Sequence, residues 1–276
     1  MTEENKTTGA STPTFPFAER VVAITGGTSG IGFAIAQRFL LAGASVVIVG
    51  SSMEHGCAAE ERLLCSQKEQ QLPNEPWFLQ GDVSAPTDMA RVMSRIQQRY
   101  GHLETVVCSA GLGRKARLLN TTPDDLTKLF QVNVHGAIYT VQAAADLLSA
   151  SGGSVVLVSS DAGITGEPQT GAYSVSKAAL NMAGKMLALD LAAAGVRVNV
   201  VAPGDIVPGM RSMLRPGETL RPADDFLSWK LPPLRRYGQA QEIAEVVLFL
   251  ASPQASFMTG AVVPVDGGMR AGLEWE

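Results

Sequence analysis

The chain has 276 residues, 46% hydrophobic and 17% charged, with a formal net charge of −4 and a pI near 5.5. That content supports a buried core and excludes a mainly disordered chain, which would combine low hydrophobicity with high net charge. It also disfavours nucleic-acid binding, which needs a concentrated basic face, because no basic run of five or more occurs.

No stretch reaches the ~18 consecutive apolar residues that a membrane span requires. Cys57, Cys65 and Cys108 are an odd number with no CxxC spacing, which points away from a disulfide scaffold and toward a reducing, cytoplasmic compartment. Residues 1–17 are polar, Thr-rich and acidic and read as a mobile tail. The remainder, 18–276, reads as one domain.

From Arg20 onward, short β-branched runs alternate with longer stretches of helical period. The pattern predicts an α/β fold, a single-domain Rossmann-type doubly wound sheet of about seven parallel strands with helices on both faces. The strands are expected at Val21–Thr25, Ser45–Val49, Trp77–Gln80, Thr105–Cys108, Ser154–Ser159, Val196–Val201 and Val262–Val265. A helix follows the first strand, with Ile31, Ile35 and Phe39 on one face and Gly43 as its stop. Others are expected at about Thr87–Tyr100, Asp124–Leu148, Ala172–Ala194 and Gln241–Ala251. Gln67–Glu75 reads as a polar surface excursion. Residues 204–233 hold five prolines, three arginines and Trp229, too long a connection for a passive turn, and read as a substrate-binding loop.

Val21–Thr25 runs into Gly26-Gly27-Thr28-Ser29-Gly30-Ile31-Gly32 and then into the amphipathic helix. Glycines permit the tight turn and close backbone approach, and the helix start offers free N–H groups and a positive dipole end to a pyrophosphate. No Lys-Ser/Thr pair follows, so this is not a P-loop. After the second strand stand Gly50, Ser51 and Ser52, with no acid until Glu54. An acid there would favour NAD by binding the ribose 2′-OH. Its absence leans the reading to NADP over NAD.

Tyr173 and Lys177 lie at i and i+4, on one face of a predicted helix. A tyrosine that exchanges protons near neutral pH must be drawn down from about 10, and a neighbouring ammonium in a partly desolvated site favours its phenolate. Ser160 closes the strand thirteen residues upstream of Tyr173, at the carboxyl end where open α/β sheets place their ligands. Asn133 falls in the preceding helix, before Gly136.

At these residues the chain resembles the short-chain dehydrogenase/reductase family, of the kind termed classical. The likeness runs from about Ala18 to Met269 through Thr25-Gly26…Gly30-Ile31-Gly32, Asp82-Val83, Ala110-Gly111, Asn133-Val134-His135-Gly136, Ser159-Ser160, Tyr173…Lys177, Pro203-Gly204 and Val265-Asp266-Gly267-Gly268. The resemblance implies an NAD(P)-dependent oxidoreductase that interconverts a secondary alcohol and its ketone. In it Tyr173 is the general acid or base, and Lys177 lowers the tyrosine pKa and binds the nicotinamide ribose. Ser160 hydrogen-bonds the substrate oxygen, and Asn133 holds a water linking Lys177 to solvent. Cofactor contacts are implied for Gly26, Thr28, Ser29, Gly30, Ile31, Gly32, Ser51, Ser52, Asp82, Val83, Ala110, Gly111, Pro203, Gly204 and Ile206. A small-molecule alcohol or carbonyl is the implied substrate, and a homo-oligomer, tetramer or dimer, the implied assembly.

Three departures from the family pattern stand out. Cys108-Ser109 replaces an asparagine before Ala110-Gly111. Proline stands at 208, where the family offers a threonine, and proline cannot donate a hydrogen bond, leaving backbone at Ile206 and Val207. Glu104 replaces a frequent aspartate, a change expected to matter little.

His55, His102 and His135 show no ligand spacing, so no metal is expected. Met210, Met213, Leu214, Leu220, Phe226, Leu227 and Trp229 suit either an apolar substrate pocket or lid packing. Arg211, Arg215 and Arg221, with Arg114 and Lys115, suit an acidic substrate or, preferably, a solvated loop. Rival readings are a lyase-type enzyme on the same scaffold, which the intact glycines and Lys177 oppose, and a non-catalytic dinucleotide-binding regulator, which Ser160, Tyr173 and Lys177 oppose. Enoyl reduction is a third, but that branch separates its tyrosine and lysine more widely.

Overall fold

A computed structural model describes residues 16–207 and 231–272. Residues 1–15 of the expected tail, Pro208 and the loop residues Met210 to Trp229 lie outside the described residues. Phe17, assigned to that tail, is instead buried in the core, its ring edge-on to Phe39 at 5.0 Å and its N–H donating to the Ala42 carbonyl at 2.9 Å. The strands are β1 Val21–Thr25, β2 Ser45–Gly50, β3 Trp77–Gln80, β4 Thr105–Cys108, β5 Ser154–Val158, β6 Arg197–Pro203, β7 Ile206–Val207, β8 Gly238–Gln239 and β9 Val262–Val265. The helices are α1 Gly30–Leu41, α2 Met53–Glu69, α3 Pro86–Tyr100, α4 Pro123–Phe130, α5 Gly136–Ser151, α6 Gly171–Leu191 and α7 Ala240–Ala251.

Seven strands form one parallel sheet in the order β3-β2-β1-β4-β5-β6-β9, and β7 pairs with β8 separately. β1, β4 and β5 are buried along their whole length, as expected where helices cover both faces. Alternation divides each strand between two cores. Val22, Ile24 and Ile48 pack with Ile35 and Phe39 of α1, Leu63 of α2 and Val247 of α7. Val21, Ala23 and Val47 pack with Met89 and Ile96 of α3, Leu148 of α5 and Leu180 of α6. The strand order reverses between β1 and β4, the point where this architecture opens a ligand crevice at the strands' carboxyl ends.

Two elements differ from expectation. The sequence reading assigns nothing between Ser52 and Gln67, where the structure forms α2. Its buried stripe is narrow, Gly56, Ala59 and Leu63, so its period is faint. Ser52 caps it by accepting from the His55 N–H at 3.3 Å, and Gly56 lies flat against the Phe78 ring, where a Cβ would collide. The single helix expected over Asp124–Leu148 is two helices joined by a π turn, Gln131–His135, that contains Asn133.

Glu104 braces the amino ends of the strands. Its Oε2 accepts the Val21 N–H at 2.7 Å, its Oε1 meets His102 Nδ1 at 2.8 Å, and its carbonyl accepts the Ser154 N–H at 2.8 Å. One residue thus fixes the starts of β1 and β5. Glu104→Ala strands the Val21 N–H at the sheet's buried edge. It is expected to lower stability by about 1–3 kcal/mol, read as a lower urea midpoint, while Glu104→Gln, which keeps an acceptor, loses less.

Candidate active site

The candidate residues fall along the carboxyl edge of the sheet. After β1, Gly26 has φ 69° and crosses the β4 end so closely that a Cβ would sit 2.6 Å from the Ala110 nitrogen. A Cβ on Gly32 would strike the Gly26 carbonyl. Gly30, at φ 52°, differs, since a Cβ there would meet nothing within 4 Å. The turn therefore needs Gly26 and Gly32 for packing and leaves open space at Gly30, next to the start of α1. No side chain caps that start, and its first turn carries no acid. Its N–H groups and positive dipole end are left for an anion.

The other expected contacts line the same edge. Thr28 packs on Gly50, with its Cγ2 2.8 Å from where a Cβ would stand. Ser51 and Ser52 follow β2, and the Ser51 carbonyl accepts from Gln80 Nε2 at 2.9 Å. Beyond β3, the Asp82 carboxylate accepts from the Ser84 N–H and hydroxyl at 2.9 and 2.8 Å, while Val83 is buried against Gly136. Beyond β4, the Ser109 N–H donates to the Thr25 carbonyl at 3.0 Å, a backbone tie between β1 and β4 where the family's asparagine is missing. Pro203 pairs with Val265, and Ile206 lies in β7 opposite Gly238.

Ser160, Tyr173, Lys177 and Asn133 meet over β5. All four are buried. Ser160 stands two residues beyond the end of β5, with its hydroxyl near enough to Tyr173 to favour the phenolate. Lys177 Nζ donates to the Val158 carbonyl at 3.0 Å and lies 5.8 Å from the Tyr173 ring centroid. Gly163, in the turn after Ser160, presses on the Lys177 backbone, where a Cβ would come within 2.6 Å of its carbonyl carbon. The Ser159 hydroxyl donates to the Lys177 carbonyl at 3.1 Å.

Asn133 accepts the Leu112 N–H at 2.7 Å, donates to the Leu112 carbonyl at 2.8 Å and donates to Ser176 Oγ at 2.9 Å. Its side chain thereby clamps the segment after β4 to α6. A Cβ on Gly111 would stand 3.5 Å from Lys177 Nζ and 3.6 Å from Asn133 Oδ1, so the two polar groups flank one small residue.

A family model described as enoyl-(acyl carrier protein) reductase matches residues 26–270. An oxidoreductase of Sarocladium schorii, asL5, is 35% identical over 251 residues, covering 91% of this chain and 95% of that protein. A 3alpha-hydroxysteroid dehydrogenase of Mediterraneibacter gnavus is 34% identical, with 91% and 97% covered. An L-fucose dehydrogenase of Mus musculus is 34% identical, with 93% and 90% covered.

The chain belongs to the short-chain dehydrogenase/reductase family. It is an oxidoreductase acting on CH–OH groups with a nicotinamide dinucleotide. The uncapped start of α1 and the space at Gly30 fit the pyrophosphate of such a cofactor. Among the described residues no helix is long and apolar enough to cross a membrane.

Burial sets the charge states of this short-chain dehydrogenase/reductase. Desolvation pushes the Tyr173 hydroxyl up to about 12, and the neighbouring Ser160 hydroxyl opposes it. Desolvation likewise brings Lys177 down to about 8. The resemblance implies that Lys177 draws the tyrosine down. In the protein alone burial outweighs that pull, and both groups move toward their neutral forms.

Sequence reasoning missed three charged neighbours. Asp161, Glu167 and Arg270 join beside Ser160, with Arg270 Nη2 3.0 Å from Asp161 Oδ2 and 2.5 Å from Glu167 Oε1. Only the position of Asp161, directly after the serine, was a signal available locally.

The lysine shift has a consequence for stability. A group whose folded pKa is depressed to about 8 from 10.5 leaves the unfolded chain holding more protons between those values, so stability rises with pH across that window. Tyr173, raised to about 12 from 10.0, acts oppositely but only above pH 10. Urea unfolding between about pH 8 and 10 should therefore show a rise of at most about 3 kcal/mol, absent in Lys177→Met. A flat wild-type profile would contradict the buried ammonium.

Proposed function

We propose that the chain interconverts a secondary alcohol and its ketone, with Tyr173 as general acid and base. The observation that supports this most is the meeting of the buried residues Ser160 and Tyr173 at the carboxyl end of β5, with Lys177 Nζ 5.8 Å from the tyrosine ring centroid. The nicotinamide dinucleotide, when bound, supplies or accepts the hydride.

In ketone reduction Tyr173, neutral in the free protein, delivers its proton to the substrate oxygen. Ser160 donates a hydrogen bond to that oxygen as negative charge develops. Lys177 stabilises the phenolate left behind. Asn133, its side chain engaged by Leu112 and Ser176, holds the relay water through the backbone of the π turn. In alcohol oxidation the same groups act in reverse.

Gly26, Thr28, Ser29, Gly30, Ile31 and Gly32 hold the pyrophosphate. Asp82 and Val83 border the adenine, and Ala110, Gly111, Pro203, Gly204 and Ile206 border the nicotinamide half. The Ser51-Ser52 pair, with no acid at the end of β2, favours NADP. The four-residue spacing of Tyr173 and Lys177 favours carbonyl over enoyl reduction, which the matching family model's description names.

Titration with NADPH and NADH by energy transfer from tryptophan is expected to show at least tenfold tighter NADPH binding, about 1.4 kcal/mol. Tyr173→Phe should keep that binding yet lower turnover about 10²–10⁴-fold in a panel of ketones. Binding of neither nucleotide overturns the cofactor reading, and full turnover in the variant overturns the tyrosine's role.

On the outer face of α6, Val175, Met182, Met186 and Leu189 are 42%, 56%, 51% and 71% exposed. Positions 175, 182, 186 and 189 share one helical face, and we place a second copy of the chain on this stripe. The mass measured by light scattering should be a multiple of 29.0 kDa, and Met186→Glu should lower it. A monomer in both would refute the assembly.

A further inference from the structure

Beside the candidate hydroxyl pair, two carboxylates, Asp161 and Glu167, share one guanidinium nitrogen of Arg270. Asp161 is 5% exposed. Its Oδ1 accepts from the Ser160 hydroxyl at 3.2 Å, and its Oδ2 accepts from Arg270 Nη2 at 3.0 Å. The same Nη2 donates to Glu167 Oε1 at 2.5 Å. Arg270 is held from behind, because its backbone N–H donates to Asp266 Oδ2 at 2.8 Å, in the segment that follows β9. Glu167 leads into α6, where its carbonyl accepts from Thr170 Oγ1 at 2.8 Å, three residues before Tyr173. Arg270 therefore joins the flank that carries Ser160 to the flank that carries Tyr173, across 109 and 103 residues of sequence.

We propose that Arg270 is a positioning residue for the Ser160–Tyr173 pair. Through Nη2 it fixes the Asp161 carboxylate that accepts from the Ser160 hydroxyl in the free chain, and so sets how that hydroxyl is held beside Tyr173. It also balances the two carboxylates, Asp161 and Glu167, that stand beside Tyr173. This proposal rests on the reading of Ser160 and Tyr173 given above.

The electrostatic surroundings agree. Asp161 and Glu167 both raise the Tyr173 hydroxyl, and Arg270 opposes the upward push of burial on Asp161, Glu167 and Asp205. Among the described residues the charged and titratable groups that face this cluster are Asp161, Glu167, Asp205, Arg270, Tyr173, Lys177 beside the Tyr173 ring, and Tyr237 by way of Asp205. Without the guanidinium, desolvated carboxylates standing close together cannot all remain ionised near neutral pH, and one retains a proton. Because both carboxylates meet a single nitrogen, a point charge serves as well as a fork, so lysine should replace arginine here.

The test uses the protein labelled with 13Cζ-tyrosine and needs no substrate. The chain has four tyrosines, and the resonance lost in Tyr173→Phe assigns the relevant one. In the wild type that resonance should be flat between about pH 5 and 7, below the titration of Lys177, which burial brings down to about 8. In Arg270→Gln it should show a one-proton transition in that window. Arg270→Lys should restore the flat profile, and Arg270→Gln with Glu167→Gln should abolish the transition.

If Arg270→Gln does not fold, Glu167→Gln alone decides. With Arg270 intact, removing one carboxylate should bring the alkaline titration of Tyr173 to lower pH. An unchanged Tyr173 resonance in the folded variants overturns the proposal. That failure is distinct from failure of the catalytic reading, which is read separately as unimpaired turnover in Tyr173→Phe.

Discussion

The contact on which the site depends is the hydrogen bond from Lys177 Nζ to the Val158 carbonyl, 3.0 Å long and buried. It joins a helix to the last residue of a central strand, and it does so with a charged group drawn out of water. Removing such a donor would strand a carbonyl, and leaving it charged carries a desolvation penalty. The surrounding contacts hold the lysine to this one place. Gly163 touches its backbone and Ser159 donates to its carbonyl. Tyr173, one turn earlier on the same helix, is thereby set over Ser160.

The π turn at Gln131–His135 serves the same registration from the other side. A π turn inserts an extra residue into the helix and re-aims a side chain that a regular helix would point elsewhere. Here Asn133 reaches Leu112 and Ser176 together. Ser176 in turn donates to the Tyr173 carbonyl at 2.7 Å. The segment after β4, the joint of α4 and α5, and the start of α6 are thus bonded through one amide.

The main sheet was legible because its strands are short β-branched runs between helices of clear period, and because both faces are covered, so the runs read as continuous apolar segments. The glycine loop was legible for a local reason: strand, turn and helix follow one another within a dozen residues. Where the signal was faint or absent the reading failed. α2 buries only small residues and Leu63, which leaves almost no periodic contrast. The π turn keeps helical composition, so Asp124–Leu148 reads as one helix. The brace at Glu104 and the ion cluster at Arg270 depend on partners 83 and 103–109 residues away, and no local pattern encodes a contact of that range. Tyr173, Lys177 and Ser160 were legible as a set only because several weak motifs occurred in a known order.

The charge balance explains why a site with a lysine needs its serine and its arginine. Burial moves Tyr173 and Lys177 in opposite directions on the pH scale but toward the same neutral state. A neutral phenol is a ready proton donor, yet its phenolate must then be tolerated in the same desolvated space. Within the free chain, the nearby Ser160 hydroxyl favours the phenolate, while Asp161 and Glu167 disfavour it. The tyrosine's acidity is therefore set by how Ser160 points and by how completely its acidic neighbours are neutralised. Both quantities converge on the carboxylate that follows the serine and on the single guanidinium nitrogen that holds it.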